Sequence, residues 1–597
     1  MTAATSAPTL YGSLRTWADA APQRELLIQV DPVPDEHRER GRPGGPRRAE
    51  ASAVSTTVAT AEELLALADS RAAWMQGRDI GPGSCIAVWL PSWIEAVAWQ
   101  FAASAVGAHV IGVNTRYNVA EVGHVLRKAR PSVLVAAHGF QRLDLLRTLT
   151  RAAESLPTDA PRPFVLVAPA PNAPAPPRPE DWDLGAGSAT TLDMPRPDAG
   201  ASASFRLVTT GTQQGTPSPA ERTGGAASVQ DVADDDRDVL AVAFTTSGST
   251  GMPKLAAHSE AGTVAHLRAV AARLEFRTGD VMVEPLPYSG TFGYTAVMAA
   301  LFGGASVVIQ PAFDPAALLE VWHARGGTHY VGGDDMLVRI AQAWRERPYD
   351  LSTWRWTGVA DFQGASHEIA RWSADRFGTT TVGVYGSSEV FALTSFWPSG
   401  TAAELRARGG GQLASPSYAY RIADPATDAE VPTGERGEIQ LRGPNVVDAY
   451  LGDEGEGAKA FTGDGWFRSG DLGDRVDEHS FAYVCRMGDV LRLKGFMVDP
   501  AEIEGHIAGH PAVDTAKVVG RTGRSGETEA VAFVVLAAGA EVTGDELRDY
   551  TRESLARYKV PAEVRIVEEM PTTAGTNGSK IRAVTLREWA QLPSSPR

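Results

Sequence analysis

Thr245-Thr246-Ser247-Gly248-Ser249-Thr250-Gly251-Met252-Pro253-Lys254 decides the reading of this chain. A β-type run, Val239 to Phe244, feeds into it. Six small residues leave the backbone bare, and the hydroxyls after Thr246 donate beside successive N–H groups. Such a turn forms an anion-binding nest, and Lys254 adds a positive charge. A helix is expected next, with Val264, Leu267, Val270 and Leu274 on one face. The spacing is not that of the GxxxxGK[ST] phosphate loop, because Lys254 follows Gly251 by three residues and Leu255 comes next.

Working outward, the pattern before this stretch alternates. Helical periodicity from Ala61 leads into a strand at Cys85–Leu90. A helix (Trp93 to Ala105), a strand (Val110–Val113), a helix (Val119 to Ala129) and a strand (Val133–Ala136) follow. That alternation predicts a parallel sheet covered by helices. Residues 34–50 read as a solvated loop between two strands. Residues 170–238 open Pro-rich, continue in Gly, Ser, Thr and Ala, and close on a run of aspartates. They read as a long surface excursion with little apolar surface to bury. The last hundred residues form a small α+β pattern: helix Pro500–Ala508, strands Thr515–Gly520 and Ala530–Leu536, helix Gly544–Leu555 and strand Glu563–Val567.

Bulk properties bound the function. A chain of 597 residues exceeds one core, and 43 % hydrophobic with 21 % charged residues is globular usage. The formal charge of −16 repels nucleic acid and anionic lipid, so neither is an expected partner. Cys85 and Cys485 are too far apart in sequence and too few for a disulfide framework or CxxC knuckle. The N-terminus lacks the features of a secretory signal, and no apolar run reaches about 20 residues. A soluble, cytoplasmic protein is expected.

Further motifs follow the small-residue loop in order: Tyr385-Gly386-Ser387-Ser388-Glu389, Trp466-Phe467-Arg468-Ser469-Gly470-Asp471-Leu472, Arg486 to Glu504, and Asn577-Gly578-Ser579-Lys580-Ile581. With Thr246–Lys254, they resemble the motif series of the adenylate-forming superfamily, which holds acyl- and aryl-CoA ligases, peptide-synthetase adenylation domains and luciferases. The resemblance covers nearly the whole chain apart from 170–238. It implies an α/β fold: a large multi-sheet N-terminal domain over 1–487, αβαβα-like with a β-barrel part, and a small mobile α+β lid over 488–597.

It also implies roles that suit the chemistry of joining a carboxylate to the α-phosphate of ATP. Thr246, Ser247, Gly248, Ser249, Thr250, Gly251 and Lys254 would hold the β- and γ-phosphates. Glu389 would bind Mg²⁺, a hard cation that prefers carboxylate oxygen. Ser388 would bond the α-phosphate, Tyr385 with Gly386 would stack on adenine, and Asp471 would accept from the ribose hydroxyls. Arg486 would reach ribose or phosphate, and Lys580 would neutralise charge developing in the transition state. Gly488 matches the hinge, where glycine permits a large dihedral change.

The acyl pocket departs from the family pattern. Ser289 and Gly290 stand where ligases often carry an aromatic residue and His. Asp334 and Asp335 would meet an amino group or donor on the substrate, or else cap a helix over Met336–Trp344. Asp361 and Phe362 would fill space that a long acyl chain needs. His258 would approach the substrate from just past the phosphate loop. The expected activity is ATP-dependent formation of acyl-AMP from a small or aromatic acid, with transfer to CoA or another thiol. The alternative is a diazotase that activates nitrite and passes the nitrosyl unit to an aryl amine in secondary metabolism. A monomer or homodimer is expected.

Overall fold

The computed structural model describes residues 8–31, 54–157, 162–170, 173, 189–192, 207–208, 239–246, 253–362, 364–487, 491–493, 496–498, 500–523, 528–555, 557–575 and 578–592. Ser247 to Gly251 and Gly488 therefore lie outside the described residues, as do the loop expected over 34–50 and most of 170–238. The strands flanking that first loop are Glu25–Val30 and Thr56–Thr60.

Two large sheets build the N-terminal part. In the first, strands His109–Gly112, Cys85–Trp89, Val133–His138 and Phe164–Pro169 run parallel in that order, and Leu240–Thr245 joins parallel to His109–Gly112. The strand–helix alternation of the sequence produces this arrangement, since parallel neighbours need a crossover. The long excursion contributes strand Ala189–Leu192, paired parallel to Phe164–Pro169, and Leu207–Val208 beside it.

The second sheet has a parallel centre, with Ser306–Ile309, Val281–Glu284, His329–Gly333, Trp356–Ala360 and Thr380–Ser387 as successive neighbours. Beyond Thr380–Ser387 it continues antiparallel through Phe391–Phe396, Gly410–Leu413, Ser480–Arg486, Phe467–Arg475, Gly437–Arg442 and Ala419–Ala423. The barrel-like part is thus the antiparallel end of the same sheet.

Helix Ile94–Ala105 packs on the first sheet and helix Thr291–Phe302 on the second. Nearly every residue of both is buried, as expected for helices apolar on all sides. One apolar core runs through both sheets and both helices. Arg71 and Glu95, each about 1 % exposed, form a two-pronged ion pair at 2.9 and 3.0 Å that locks helix Ala61–Gln76 to Ile94–Ala105.

From Leu491 onward the apolar residues pack in cores of their own. Strands Val513–Thr522, Thr528–Leu536 and Glu563–Ile566 form one sheet, carrying helices Pro500–Ala508, Gly544–Ser554 and Ala583–Gln591. The molecule is a mixed α/β protein with a large multi-sheet N-terminal part and a smaller C-terminal one. Among the described residues, no helix is long and apolar enough to cross a membrane.

Candidate active site

Two antiparallel strands flank the small-residue stretch. Strand Leu240–Thr245 enters it and strand Leu255–Ser259 leaves it antiparallel, with Leu255 opposite Thr245. The Thr246 N–H donates to the Lys254 carbonyl at 2.8 Å and closes the loop at its neck. This corrects the expectation that a helix follows Lys254: a strand comes first, and the helix spans Glu260–Arg273 with Leu274 as its cap. The apolar i, i+3 spacing was real, but the five residues before it pair with the preceding strand. The loop therefore lacks the helix N-terminus of a strand–loop–helix phosphate site. The Lys254 ammonium lies 5.3 Å over the Tyr450 ring.

The turn after strand Thr380–Ser387 sits against this neck. Ser388 Oγ donates to the Thr245 carbonyl at 3.3 Å, and the Ser388 carbonyl meets His258 Nε2 at 2.7 Å. The Glu389 carbonyl accepts from Val447 N–H at 2.6 Å, and its side chain is half-buried; Asp471 first, and Glu389 to a lesser degree, strengthen the Arg486 guanidinium's hold on its proton. Gly386 is required here: a Cβ would overlap the Phe391 carbonyl oxygen and lie 2.6 Å from Ala392 Cα. Phe391 and Leu393 follow with φ of +62° and +60°, strain for bulky residues that is tolerated where surroundings over-determine the backbone.

Tyr385, Asp471 and Arg486 meet beside this turn. Tyr385 donates its hydroxyl to Asp471 Oδ2 at 2.7 Å, and Arg486 Nη1 donates to Asp471 Oδ1 at 2.7 Å and to the Ser469 carbonyl at 2.8 Å. Burial, together with the Asp471 carboxylate, pushes the Tyr385 phenol well above its usual range, so it stays a donor. Asp471 and Arg486 face each other because their strands pair in register. The Tyr385 ring is buried beside Phe481 and Tyr483, at centroid distances of 5.1 and 5.8 Å, and its hydroxyl orients Asp471.

The expected substrate residues divide. His258 does not line the cleft; it is fully buried, and burial pulls its imidazole down to about 4. Asp334 is also fully buried. Its Oδ1 accepts from Asp335 N–H (2.9 Å) and Phe362 N–H (3.0 Å), and its Oδ2 from Ala365 N–H (2.9 Å). It clamps the 361–365 loop rather than facing a substrate amine. Helix Asp334–Glu346 begins at this residue, so both acids occupy its first turn and neither caps a helix starting at Met336. Asp361, on the exposed side of the loop, has its carboxyl raised to about 6 by partial desolvation and by Asp334. The Phe362 ring lies against Gly333, where a Cβ would come within 2.9 Å of it.

Gly290 precedes helix Thr291–Phe302 as its N-cap. Ser289 crosses Gly112 so closely that a Cβ there would lie 2.8 Å from Ser289 Cα. Ser289 also borders a cavity of about 10 Å³ lined by Gln100, Phe244, Tyr288 and Tyr294, at the threshold for a single water. Lys580 lies on strand Gly578–Ile581, whose backbone runs beside helix Asp334–Glu346.

Sequence reading missed the supports. Tyr117 donates to Thr245 Oγ1 at 2.7 Å, His124 Nε2 meets the Pro253 carbonyl at 2.8 Å, and Ser259 N–H donates to Asp448 at 2.7 Å. No local motif marks them, because each acts across more than a hundred residues of sequence. Among the described residues, no group of three or more His, Cys, Asp or Glu forms a metal cage. One carboxylate beside a phosphate loop still fits Mg²⁺, which binds through one or two carboxylates plus phosphate oxygens. Glu389, on the turn bonded to the loop's neck, would be the carboxylate to hold it.

This is the arrangement of an ATP-dependent, AMP-forming ligase of the acid–CoA ligase type. Residues 44–451 match the model of the AMP-binding enzyme family, and residues 502–576 match the AMP-binding enzyme C-terminal domain; the chain belongs to that family. It is 32 % identical to a feruloyl-CoA synthase of Amycolatopsis over 344 residues, 56 % of this chain and 67 % of that one. It is 28 % identical over 526 residues to a Rhodococcus jostii propanoyl:CoA ligase whose acyl group bears a methyl-dioxo-octahydroindenyl ring system, 87 % of this chain and 91 % of that one. The crystal structure of ATP-bound MatB from Rhodopseudomonas palustris superposes with a TM-score of 0.74 at 23 % identity, covering 98 % of this chain and 99 % of that one.

Proposed function

We propose that the enzyme activates a small or aromatic carboxylic acid as its acyl-AMP and transfers the acyl group to CoA or another thiol. The carrying observation is the bonding of the Ser388–Glu389 turn to the neck of the Thr246–Lys254 loop, with Asp471 and Arg486 alongside. A triphosphate laid across this junction has its ribose at Asp471 and its phosphate tail at the loop and Lys254. A carboxylate oxygen attacks the α-phosphorus, the bond to the bridging oxygen of the β-phosphate breaks, and pyrophosphate leaves. Ser388 would orient the α-phosphate, and Lys580 would neutralise charge between the two reacting anions. Mg²⁺ carried on the phosphates would add further charge neutralisation. A thiolate then attacks the acyl carbon and AMP departs.

The substrate end supports a short or aromatic acid. Phe362 closes on Gly333, and Asp334 pins its loop through two amides, leaving little length for an alkyl chain. The names of the feruloyl-CoA and 4-coumarate–CoA relatives agree with an aryl acid. A second reading has one observation in its favour: Asp361, an exposed residue of this loop, offers a carboxyl as partner for an aryl ammonium. In that reading nitrite replaces the carboxylate as attacking anion and an aryl amine takes the nitrosyl unit.

Pyrophosphate release across short acids, aryl acids and nitrite with aminoaryl acids, each with and without CoA, tests both. AMP formation on an aryl acid that turns over with CoA supports the first. AMP formation that needs nitrite and an amine and ignores CoA overturns it in favour of the second.

A further inference from the structure

His258 is a buried ionisable group that touches the Ser388–Glu389 turn without entering the chemistry above. It lies on strand Leu255–Ser259, four residues past Lys254. Its Nε2 meets the Ser388 carbonyl at 2.7 Å, while its buried Nδ1 has no partner. A carbonyl oxygen only accepts, so the bond exists only with the proton on Nε2. Nδ1 then carries an unpartnered lone pair. The ring is packed at a centroid distance of 4.0 Å from Phe391, the residue at φ +62°, and 6.0 Å from Phe244. Its orientation is fixed by packing on one side and by a single hydrogen bond on the other.

The consequence is a crosslink. Ser388 Oγ donates to Thr245, on the strand entering the phosphate loop, and the Ser388 carbonyl accepts from His258, on the strand leaving it. The same turn presents Glu389. We propose that His258 is a positioning residue: its Nε2–H holds the Ser388–Glu389 turn against the strands that flank the loop, and so sets where the Glu389 carboxylate would hold Mg²⁺. The inference rests on the assignment of Glu389 made above.

The test measures equilibrium binding of ATP by the full chain, with and without Mg²⁺, for wild type and for His258→Leu, His258→Gln and His258→Asn. A glutamine amide nitrogen falls near the Nε2 position; an asparagine nitrogen reaches only the Nδ1 position. Loss of one such hydrogen bond predicts that His258→Leu weakens binding in Mg²⁺ by about tenfold and Mg²⁺-free binding by less than about twofold. His258→Gln restores most of the Mg²⁺ effect and His258→Asn does not. Equal losses with and without Mg²⁺, no loss, or Gln no better than Leu or Asn overturns the proposal.

Nitrogen-15 spectra of histidine-labelled wild type must also show His258 protonated on Nε2; the opposite tautomer overturns it whatever the variants do. Glu389→Gln separates the two readings. If it leaves the Mg²⁺ effect intact, the metal assignment fails. If it removes the effect and His258→Leu does not, only the present inference fails.

Discussion

Replacing Asp471 is the sharpest test of the nucleotide site. Its side chain is about 7 % exposed and holds Tyr385 and Arg486 at 2.7 Å each. Asp471→Ala strands the buried Tyr385 hydroxyl, a cost of about 1–3 kcal/mol. It also removes the Arg486 ion pair, worth about 0–1 kcal/mol because that guanidinium is half exposed. The expected loss of stability is about 1–4 kcal/mol, read by chemical denaturation. Asp471→Asn leaves Tyr385 an acceptor and should cost about 1 kcal/mol. Binding gives the decisive comparison. If Asp471 accepts from the ribose hydroxyls, wild type should bind ATP about 10–100 times more tightly than 2′,3′-dideoxy-ATP. Asp471→Ala should bind the two alike, the double-cycle signature of a direct contact. If Asp471→Ala still discriminates between them, the ribose assignment is wrong, even if the variant is unstable.

Other outcomes follow from the same geometry. Lys580→Ala should slow acyl-AMP formation by at least about a hundredfold while changing ATP affinity little, measured by single-turnover AMP release against nucleotide titration. Gly386→Ala forces a Cβ onto the Phe391 backbone and should destabilise the protein by about 1–3 kcal/mol, read as a lower denaturation midpoint. Burial lowers the imidazoles of His109 and His329 to about 4 and that of His266 to about 3. Unfolding lets them take up protons at their ordinary value, so stability should fall as pH drops from about 6.5 toward 4; thermal midpoints across that range check it, and His266→Gln should flatten the slope. Asp361 has the opposite sense. Its raised carboxyl, at about 6, favours the folded state at low pH, and that advantage disappears as pH rises from about 4 through 6. Asp361→Asn should gain stability over wild type across that window and hold the gain above it.

The sequence by itself determined the elements and their order. Val119–Ala129 and Pro500–Ala508 form as helices with the expected bounds, and the strand–helix alternation before residue 170 yields parallel strands. Local periodicity and propensity are short-range properties, so a linear reading finds them. The motif series likewise placed Thr246, Ser388, Glu389, Asp471 and Arg486 in one region. Long-range pairing was beyond that reading. Leu255–Ser259 looks like the start of a helical segment until the strand Leu240–Thr245 is there to pair with it. Asp334 looks like a ligand or a cap until the amides of Phe362 and Ala365, about thirty residues away, take up its oxygens. Tyr385 is tied to a carboxylate because strands Phe467–Arg475 and Ser480–Arg486 bring Asp471 and Phe481 against it. Burial and partnership depend on which distant segments share a wall. Only the tertiary structure decided them, because hydrogen bonds and desolvation act across space and leave no period in the chain.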